Sequence, residues 1–372
     1  MTEPAVVPDI AGRDVSLPTA TEAQSADAAA EISRFDAELG AEIAPFSAIL
    51  LRTESAASSK IENLTASARA IAEAELHPSG GNAALIVANT RALTAAIALA
   101  NNIDGTAILA MHDALLAPSQ PDIAGRWRSE QVWIGGSDFG PHGASFVPPH
   151  HGQVPAAIED LIAFIRRDDI PTLTQAALAH AQFETIHPFP DGNGRTGRAL
   201  LHAELRNKGL TRNVTVPVSA GLLTNIDAYF AALTQYREGD PAAIVEALAS
   251  ATYKAVDNGR ELVGDLRAIR NRWDERIKAR RGTNAWKIVD LILGHPVVDV
   301  ALIADELGIE RPNVYGPLQP LLNAEVLVEF TDRKRNQMWH APEVLEALDR
   351  FALRAGRRVR SSRRQRAELT AP

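Results

Sequence analysis

The sequence predicts a mainly α protein: a helical core that carries one short β-hairpin, followed by a small C-terminal domain of short helices and two strands. Apolar residues three and four positions apart recur in Ala-rich segments over most of the chain, which is the spacing of amphipathic helices. Runs typical of β-strands occur in only two places. With 372 residues, 46% of them hydrophobic, the chain is long enough to bury a core and to form two or three domains.

Composition and charge exclude several kinds of protein. There are no cysteines, so disulfides and thiolate metal sites are excluded and the chain suits a reducing cytosol. The net charge of -8 argues against a surface that binds nucleic acid as a whole, although it allows a local basic patch. The N-terminal stretch lacks the features of a signal peptide, and no run approaches ~18 apolar residues. We therefore expect a cytoplasmic protein without membrane contact.

The first 282 residues divide into four segments. Residues 1–27 are rich in Pro, Ala, Thr and Ser, which predicts a mobile tail. Helical periodicity then runs through residues 28–117. The stretch RWRSEQVWIGG, followed by FVPP, is typical of a β-hairpin, and helical periodicity resumes after it. We assign residues 118–250 to the core of the protein and residues 251–282 to a helical linker.

The C-terminal part shows the pattern of a winged helix-turn-helix domain. In residues 283–345, three short helical segments precede two strands joined by a basic turn. Pro317 and Pro320 fall inside the would-be recognition helix, and each removes a backbone donor there. The basic turn, Arg333 to Arg335, and the arginine-rich tail, residues 346–372, could contact phosphates without reading a base sequence. We expect this domain to serve packing or protein docking in preference to DNA binding.

The stretch HPFPDGNGRTGR, His187 to Arg198, concentrates most of the chemistry of the chain. Its three glycines have the spacing of a dinucleotide-binding fold, but the preceding segment is helical and no acid follows at the required distance. A Walker loop is excluded because no Gly-Lys-Ser/Thr follows. An EF-hand is excluded because Arg195 stands where a ligand oxygen is needed. We interpret the stretch as a loop between two helices.

Such a loop suits a polyphosphate. Gly192 and Gly194 let the backbone curl into a nest of N–H groups at the start of a helix, where anions bind. Arg195 and Arg198 lie three positions apart and share a face of that helix. Two guanidinium groups beside a nest can clamp more than one phosphate.

Two further side chains complete a phosphate-transfer site. Asp191 comes directly before the nest, where a carboxylate can hold Mg²⁺ against the same phosphates. His187 lies one short turn earlier, and an imidazole with an ordinary pKa of ~6.5 is mostly neutral in the cytosol and can accept a proton from a hydroxyl. The stretch therefore predicts a base, a metal ligand, a nest and a clamp, without a covalent nucleophile.

The same residues match the signature H-x-F-x-[DE]-G-N-G-R-x-x-R at every specified position, so the chain resembles the Fic family. The helical core of that family transfers AMP from ATP to a hydroxyl group of a protein and releases pyrophosphate. The resemblance implies that His187 is the general base, that Asp191 holds Mg²⁺ and that Phe189 pins the loop to the core. The ATP-binding residues that it implies are Gly192, Asn193, Gly194, Arg195 and Arg198, with Asn193 also reaching phosphate.

The resemblance extends to two other segments. The predicted hairpin resembles the flap of the family, so a target protein is expected to dock on residues 131–148 through main-chain hydrogen bonds. Ser58, Glu62 and Asn63 fit the inhibitory motif [ST]-x-x-x-E-[GN] of the family, which lies in a helix packed against the phosphate site. A carboxylate beside Arg198 would substitute for an outer phosphate, so we expect Glu62 to restrain the activity until it is moved.

Two functions follow from these interpretations. The first is a self-restrained protein adenylyltransferase that uses ATP and Mg²⁺ and modifies a Tyr, Thr or Ser hydroxyl of a target protein or of itself. In this function, removal of AMP with the help of Glu62 stays open. The second is a DNA-binding regulator whose Fic core senses a nucleotide. The intact His187 argues against the second function, because a sensor needs no base.

Overall fold

The fold comes from a computed structural model, which describes residues 4–39, 43–78, 80–135, 142–331 and 337–356. Within these residues the chain is mainly helical with one small sheet, which confirms the predicted fold class. The helices are, in chain order, α1 (Thr19–Glu38), α2 (Ile43–Ile61), α3 (Ala68–Leu76), α4 (Asn82–Leu99), α5 (Gly105–Leu116), α6 (Val154–Ile165), α7 (Thr172–Ile186), α8 (Asn193–Asn207), α9 (Val218–Leu223), α10 (Ile226–Arg237), α11 (Ala242–Arg276), α12 (Asn284–Gly294), α13 (Val300–Leu307), α14 (Tyr315–Asn323) and α15 (Pro342–Ala355).

Helices α7 and α8 lie at the centre of the core, and the loop between them carries the stretch of residues 187–198. The residues of α7 from Leu173 to Ile186 are all buried, because α1, α6, α8, α10 and α11 surround this helix. Helix α8 comes very close to α7 at Gly197, where an added Cβ would lie 2.9 Å from atoms of Phe183 and of Glu184. A glycine at this position therefore fixes the distance between the two helices that hold the loop.

Helix α4 is the one helix of the described chain whose length and apolar composition would match a membrane span. It packs against α2, α3, α5 and α8, and Ile86 and Leu93 are among its buried residues. These contacts are those of a core helix.

The residues predicted to form a helical linker, 251–282, are helical as far as Arg276, but they continue a longer helix. Helix α11 is continuous over 35 residues, so the boundary at residue 250 falls in the interior of a helix. Along its length α11 packs against α1, α7, α9 and α10, and then against α15 of the C-terminal part. Ala255, Leu262 and Leu266 are fully buried. Periodicity shows that a segment is helical, but it does not show which neighbours cover each turn.

The prediction of a mobile tail over residues 1–27 is wrong for the part of that segment that the structure describes. The backbone N–H of Ala5 donates to the carbonyl of Val147 at 2.9 Å, and that of Ile10 donates to the Asp160 carboxylate at 2.7 Å. Ile10 is buried in the core, and helix α1 begins at Thr19 and packs on α11. Long-range contacts order this segment, although its composition is rich in Pro, Ala, Thr and Ser.

The predicted hairpin is represented, among the described residues, by a single antiparallel bridge between Ile134 and Phe146. Residues 136–141, which would form most of its turn, lie outside the described part of the chain. Arg237 of α10 stacks on the Phe146 ring, with its guanidinium carbon 3.9 Å from the ring centroid. The segment of the predicted hairpin that contains Phe146 is thus packed onto the core beside α7.

The C-terminal part contains the one sheet of the described residues. Its strands are β1 (Val297–Asp299), β2 (Val328–Glu329) and β3 (Met338–His340), in the antiparallel order β1-β3-β2. Val297 and Val328 both pair with His340. Helices α12, α13 and α14 precede β2 and β3, which is the predicted order of elements, and β1 was not foreseen.

One boundary of the C-terminal prediction changes, whereas the helix that contains the prolines is as expected. Pro320 lies inside α14, as expected, and Gly308 ends α13 with a φ of 62°. The predicted boundary at residue 345 is wrong, because residues 342–355 form the amphipathic helix α15, which packs on α11. The basic turn around Lys334 and the arginine-rich end of the tail lie outside the described residues.

Candidate active site

The loop between α7 and α8 contains two residues with left-handed backbone. Helix α7 ends at His187, whose φ is 50° and whose backbone N–H donates to the carbonyl of Phe183 at 2.9 Å. Gly192, with a φ of 77°, directly precedes α8. Glycine adopts this conformation at little cost, whereas the histidine is held in it by its surroundings. As a result, His187 and the N-terminus of α8 line the same cavity.

The side chain of Asn193 holds this loop in shape. Its Nδ2 donates to the carbonyl of Phe189 at 2.8 Å, and its Oδ1 accepts from the N–H of Phe189 at 2.9 Å. The Phe189 ring is fully buried and stacks on His112 with the ring centroids 3.6 Å apart, as expected of a side chain that pins the loop. The resemblance implied that Asn193 also reaches phosphate. Because both ends of its amide are engaged, its route to an anion is its backbone N–H at the start of α8.

Arg128 is a buried residue of the site that sequence reasoning missed. Its Nε donates to the carbonyl of His187 at 2.8 Å, and its Nη2 donates to the carbonyl of Pro149 at 2.5 Å. Burial lowers the pKa of Arg128 to about 10. The Arg128 guanidinium therefore connects the segment before the Ile134–Phe146 bridge to the loop that carries His187. Nothing in the sequence around Arg128 indicates this, because its partners are backbone carbonyls far away in the chain.

The imidazole of His187 is suited to accept a proton at neutral pH. Its Nδ1 is buried and has no hydrogen-bond partner of normal geometry among the described residues. Burial is the main reason why the pKa of His187 is lowered to about 4, and the nearby positive charges of Arg237 and Arg128 act in the same direction. The ring is therefore neutral over a wider range of pH than a solvent-exposed histidine would be.

The Asp191 carboxylate is half-exposed at the mouth of the cavity. It accepts hydrogen bonds from the Gly192 N–H at 2.6 Å and from Gln120 Nε2 at 2.7 Å. The Asp191 backbone carbonyl lies 3.0 Å from His112 Nε2. Sequence reasoning missed both Gln120 and His112, which come from the region around α5.

This environment fits a magnesium ion. Each oxygen of a carboxylate has more than one acceptor direction, so the two hydrogen bonds leave Asp191 able to coordinate a cation. Among the described residues, no group of three or more His, Asp or Glu side chains could hold a metal by itself. Mg²⁺ typically needs no such group, because it binds one or two carboxylates and takes its other ligands from water and phosphate oxygens.

Arg195 presents an unsatisfied positive charge next to the nest. The residue is 6% exposed, and its Nε and Nη1 have no hydrogen-bond partner. Its Nη2 lies 3.8 Å from Asp191 Oδ1, and burial lowers the pKa of its guanidinium. Leaving two donors of a buried cation unpaired is costly, and such groups usually await a ligand. The adjoining cavity, of about 330 Å³, runs along Gly192 and Gly194.

The Arg198 guanidinium is already paired with Ser58 and Glu62, at the C-terminal end of α2. Its Nη2 donates to Glu62 Oε1 at 2.8 Å, and its Nε donates to Ser58 Oγ at 2.9 Å. A third bond runs from Nη2 to the Ser58 carbonyl. Burial alone would lower the pKa of Arg198, but the charge and hydrogen bond of Glu62 raise it. Two of the three residues of the predicted inhibitory motif therefore contact the predicted clamp.

The Glu62 carboxylate lies against the N-terminal turn of α8, on the anion-binding side. A Cβ added to Gly194 would be 2.1 Å from Glu62 Oε1 and 3.0 Å from Arg198 Nη1. An anion at this place receives both the guanidinium of Arg198 and the positive end of the helix dipole. Glu62 thus occupies a position that suits a phosphate group.

The third motif residue, Asn63, sets the position of Glu62 through the backbone. Asn63 follows the end of α2 with a φ of 61°, and its N–H donates to the carbonyl of Lys60 at 3.0 Å. Glycine and asparagine are the residues that end helices in this left-handed conformation. The alternatives Gly and Asn at this position of the motif therefore have a conformational explanation.

We expect Asn63→Val to destabilise the protein and Asn63→Gly to leave its stability nearly unchanged. A β-branched residue in left-handed backbone costs about 1–2 kcal/mol, whereas glycine adopts this backbone without strain. Urea denaturation of the three chains measures the free energy of unfolding. Equal stability of Asn63→Val and the wild type would contradict the role of this residue at the end of α2.

Residues 102–205 match a family model described as Fic/DOC family. This part of the chain is a Fic/DOC domain. It contains the whole of the loop, both arginines and Asp191, whereas α2 and the predicted inhibitory motif lie before it. The family match thus confirms the domain that the signature of residues 187–198 indicated.

Two curated relatives carry the name of one activity. A probable protein adenylyltransferase of Aquifex aeolicus is 34% identical over 164 residues, which are 41% of this chain and 47% of that protein. The protein adenylyltransferase Fic of Drosophila erecta is 31% identical over 153 residues, which are 40% of this chain and 28% of that protein. The chain therefore spans less than half the length of either relative.

The fold resembles that of a solved Fic protein. A Fic family protein from Desulfovibrio desulfuricans superimposes with a TM-score of 0.55, and the match covers 88% of this chain and 97% of that chain at 22% identity. At this identity the likeness concerns the fold alone. It extends the similarity beyond the Fic domain to most of the chain.

Proposed function

We propose that this chain is a protein adenylyltransferase that moves AMP from ATP to a hydroxyl group of a target protein or of itself, and that Glu62 restrains it. The observation that carries the proposal is the N-terminus of α8. There the Glu62 carboxylate pairs with Arg198 at 2.8 Å while Arg195 beside it keeps two buried donors unpaired. The names of the two curated relatives support the same class of reaction.

Each residue of the loop has a separate role in the proposed transfer. His187 accepts the proton of the target hydroxyl, whose oxygen forms a bond to the α-phosphorus of ATP. The bond between that phosphorus and the bridging oxygen to the β-phosphate breaks, and pyrophosphate leaves with the electron pair. The backbone N–H groups at Gly192 to Gly194, with Arg195 and Arg198, stabilise the charge on the phosphates. Asp191 is the residue that would hold Mg²⁺, which neutralises phosphate charge.

The target is proposed to dock on the flap, residues 131–148, through main-chain hydrogen bonds. Ile134 and Phe146 pair as in an antiparallel strand pair, so an extended peptide could add to the flap as a further strand. Packing of Arg237 on Phe146 fixes this flap beside α7, which ends at His187. AMP removal and DNA binding by the C-terminal domain stay predictions, as does a cytoplasmic location.

The position of the label in ATP tests the proposed reaction. The Glu62→Gly variant is incubated with Mg²⁺ and with ATP that is labelled either at its α-phosphorus or at its γ-phosphorus. Transfer of AMP predicts protein-bound label from the first ATP and none from the second. Label from the γ-phosphorus would identify phosphoryl transfer and contradict the proposal, as would the absence of label from both.

The pH dependence of the transfer tests the role of His187. A base must be neutral, and a lowered pKa keeps it neutral further into the acid range, so the rate should not fall with the protonation of an ordinary histidine. We expect kcat/KM of the Glu62→Gly variant to show no inflection near ~6.5, the pKa of a solvent-exposed histidine. An inflection at that pH would contradict the assignment.

A second buried group serves as the control for this measurement. Burial raises the pKa of Glu184 to about 7, and this residue lies one turn before His187 on α7. The pH profile is therefore repeated with Glu184→Gln in the same background. An inflection that disappears in this variant belongs to Glu184, and one that persists belongs to another group.

A further inference from the structure

A second polar cavity, of about 190 Å³, lies at the opposite end of α8 from the loop. It is bounded by α2, α4, the last two turns of α8 and the segment that follows α8. A single water needs only ~15 Å³ of such space, so the cavity is large enough for a small ion or molecule. The lining residues used below are Ser47, Thr94, His202, Arg206, Thr211 and Thr215.

Two hydroxyl groups in this cavity lack partners. Thr211 and Thr215 are 4% and 6% exposed, yet neither side chain has a hydrogen-bond partner among the described residues. Buried polar side chains are normally satisfied by protein or by a bound molecule. Thr94 is exposed, so the cavity opens to solvent on the α4 side.

The charged residues of the cavity are positive or able to become so. His202 and Arg206 are four positions apart on α8 and therefore share a face. One N–H of Arg206 donates to the carbonyl of Arg212, and its other donors have no partner among the described residues. His202 Nε2 lies 2.9 Å from Glu54 Oε1, so this ring nitrogen faces a carboxylate.

The acidic residues near the cavity are occupied by other donors. No Asp or Glu lines it. Glu54 accepts from both the N–H and the hydroxyl of Ser219, the former at 2.9 Å. Asp36 accepts from the backbone N–H groups of Asn213 and Val214 at 2.8 and 2.9 Å.

We propose that this cavity binds a phosphate-type oxyanion, with Arg206 supplying charge and Thr211 and Thr215 supplying hydroxyl donors. A tetrahedral oxyanion accepts several hydrogen bonds from different directions, which matches a guanidinium fork and two hydroxyls. Free phosphate and the phosphoryl group of an ester share this chemistry. The site is separate from the Fic loop, and the proposal does not depend on the proposed function.

Calorimetric titration of the full chain with inorganic phosphate tests the proposal. All chains carry Arg195→Gln, which removes the unpaired cation at the loop. Because Glu62 is already paired with Arg198, phosphate binding at the loop is then suppressed. We expect binding of one phosphate per chain, weakened at least about tenfold by Arg206→Gln and by the nearly isosteric Thr211→Val. Arg166→Gln, at an exposed arginine after α6, is the control and should bind phosphate as the background does.

The proposal would be overturned by no binding of phosphate, by equal binding by Thr211→Val and the background, or by an equal loss in Arg166→Gln. Thermal unfolding without phosphate shows whether Arg206→Gln is folded, and if it is not, Thr211→Val decides. Titration with methyl phosphate shows whether the natural ligand is free phosphate or a phosphate ester. Tighter binding of methyl phosphate than of free phosphate indicates a phosphorylated metabolite. Glycerol is the neutral control, and binding of glycerol as tight as that of phosphate would contradict an anion site.

Discussion

Glu62→Gly is expected to raise AMP transfer at least about tenfold, which corresponds to about 1.4 kcal/mol at the transition state. The change removes the carboxylate that pairs with Arg198 and lies against Gly194, so the outer phosphates of ATP gain both the guanidinium and the start of α8. Because α2 ends at Ile61, a glycine at position 62 does not break the helix. Incorporation of α-labelled ATP into protein measures the effect.

Two conservative variants show whether charge or bulk provides the restraint. Glu62→Gln keeps the size of the side chain but loses the charge-assisted bond to Arg198, so its rate should lie between those of the wild type and Glu62→Gly. Glu75→Gln is the matched control, since Glu75 of α3 pairs with Arg52 of α2, and neither residue lines the cavity at the loop. A wild-type rate in Glu62→Gly, or an equal gain in Glu75→Gln, would contradict the restraint.

The position of α2 makes this restraint effective. Asn89 of α4 donates to the Ser55 carbonyl at 3.0 Å and to Ser59 Oγ at 3.2 Å, and Glu54 binds the buried Ser219. These buried polar contacts hold the last turns of α2 in place, and breaking them without replacement is costly. Release of Glu62 therefore requires either a local movement at residues 62–63 or a displacement of the whole helix end.

The sequence predicted the centre of the site because its parts lie within one short stretch. A loop and one helical turn are enough to bring together His187, Asp191, Arg195 and Arg198. This can be inferred directly from their spacing in the sequence. Glu62 lies far away in the chain, and it was predicted only because its motif resembles that of a known family. The structure brings these five residues together around one cavity and the adjoining helix end.

Two other residues of the site, Arg128 and His112, could not be predicted because their bonds go to backbone atoms. Arg128 binds the carbonyl of His187, and His112 meets the carbonyl of Asp191. A backbone carbonyl is present at every residue, so such contacts leave no pattern in a sequence. The same reason explains the ordered N-terminal segment, where Ile10 is fixed by the carboxylate of Asp160.

Replacing His187 with alanine is expected to lower AMP transfer by about 10²–10⁴-fold, the usual contribution of a positioned general base. The measurement is made in the Glu62→Gly background, where the rate of transfer is highest. ATP binding, followed by calorimetry, should change little, because the nest and Arg195 lie on α8 and contact phosphate independently of the imidazole. Loss of transfer together with retained binding separates a base from a residue that only shapes the loop.

The left-handed backbone of His187 requires a second variant. Alanine is strained at a φ of 50°, so a loss of transfer in His187→Ala could come from a distorted loop. Asparagine tolerates this conformation and cannot act as a base, so His187→Asn should retain ATP binding and thermal stability while losing transfer. Transfer by His187→Asn at the rate of its parent would show that the hydroxyl loses its proton elsewhere, and the assignment of His187 as the base would fail.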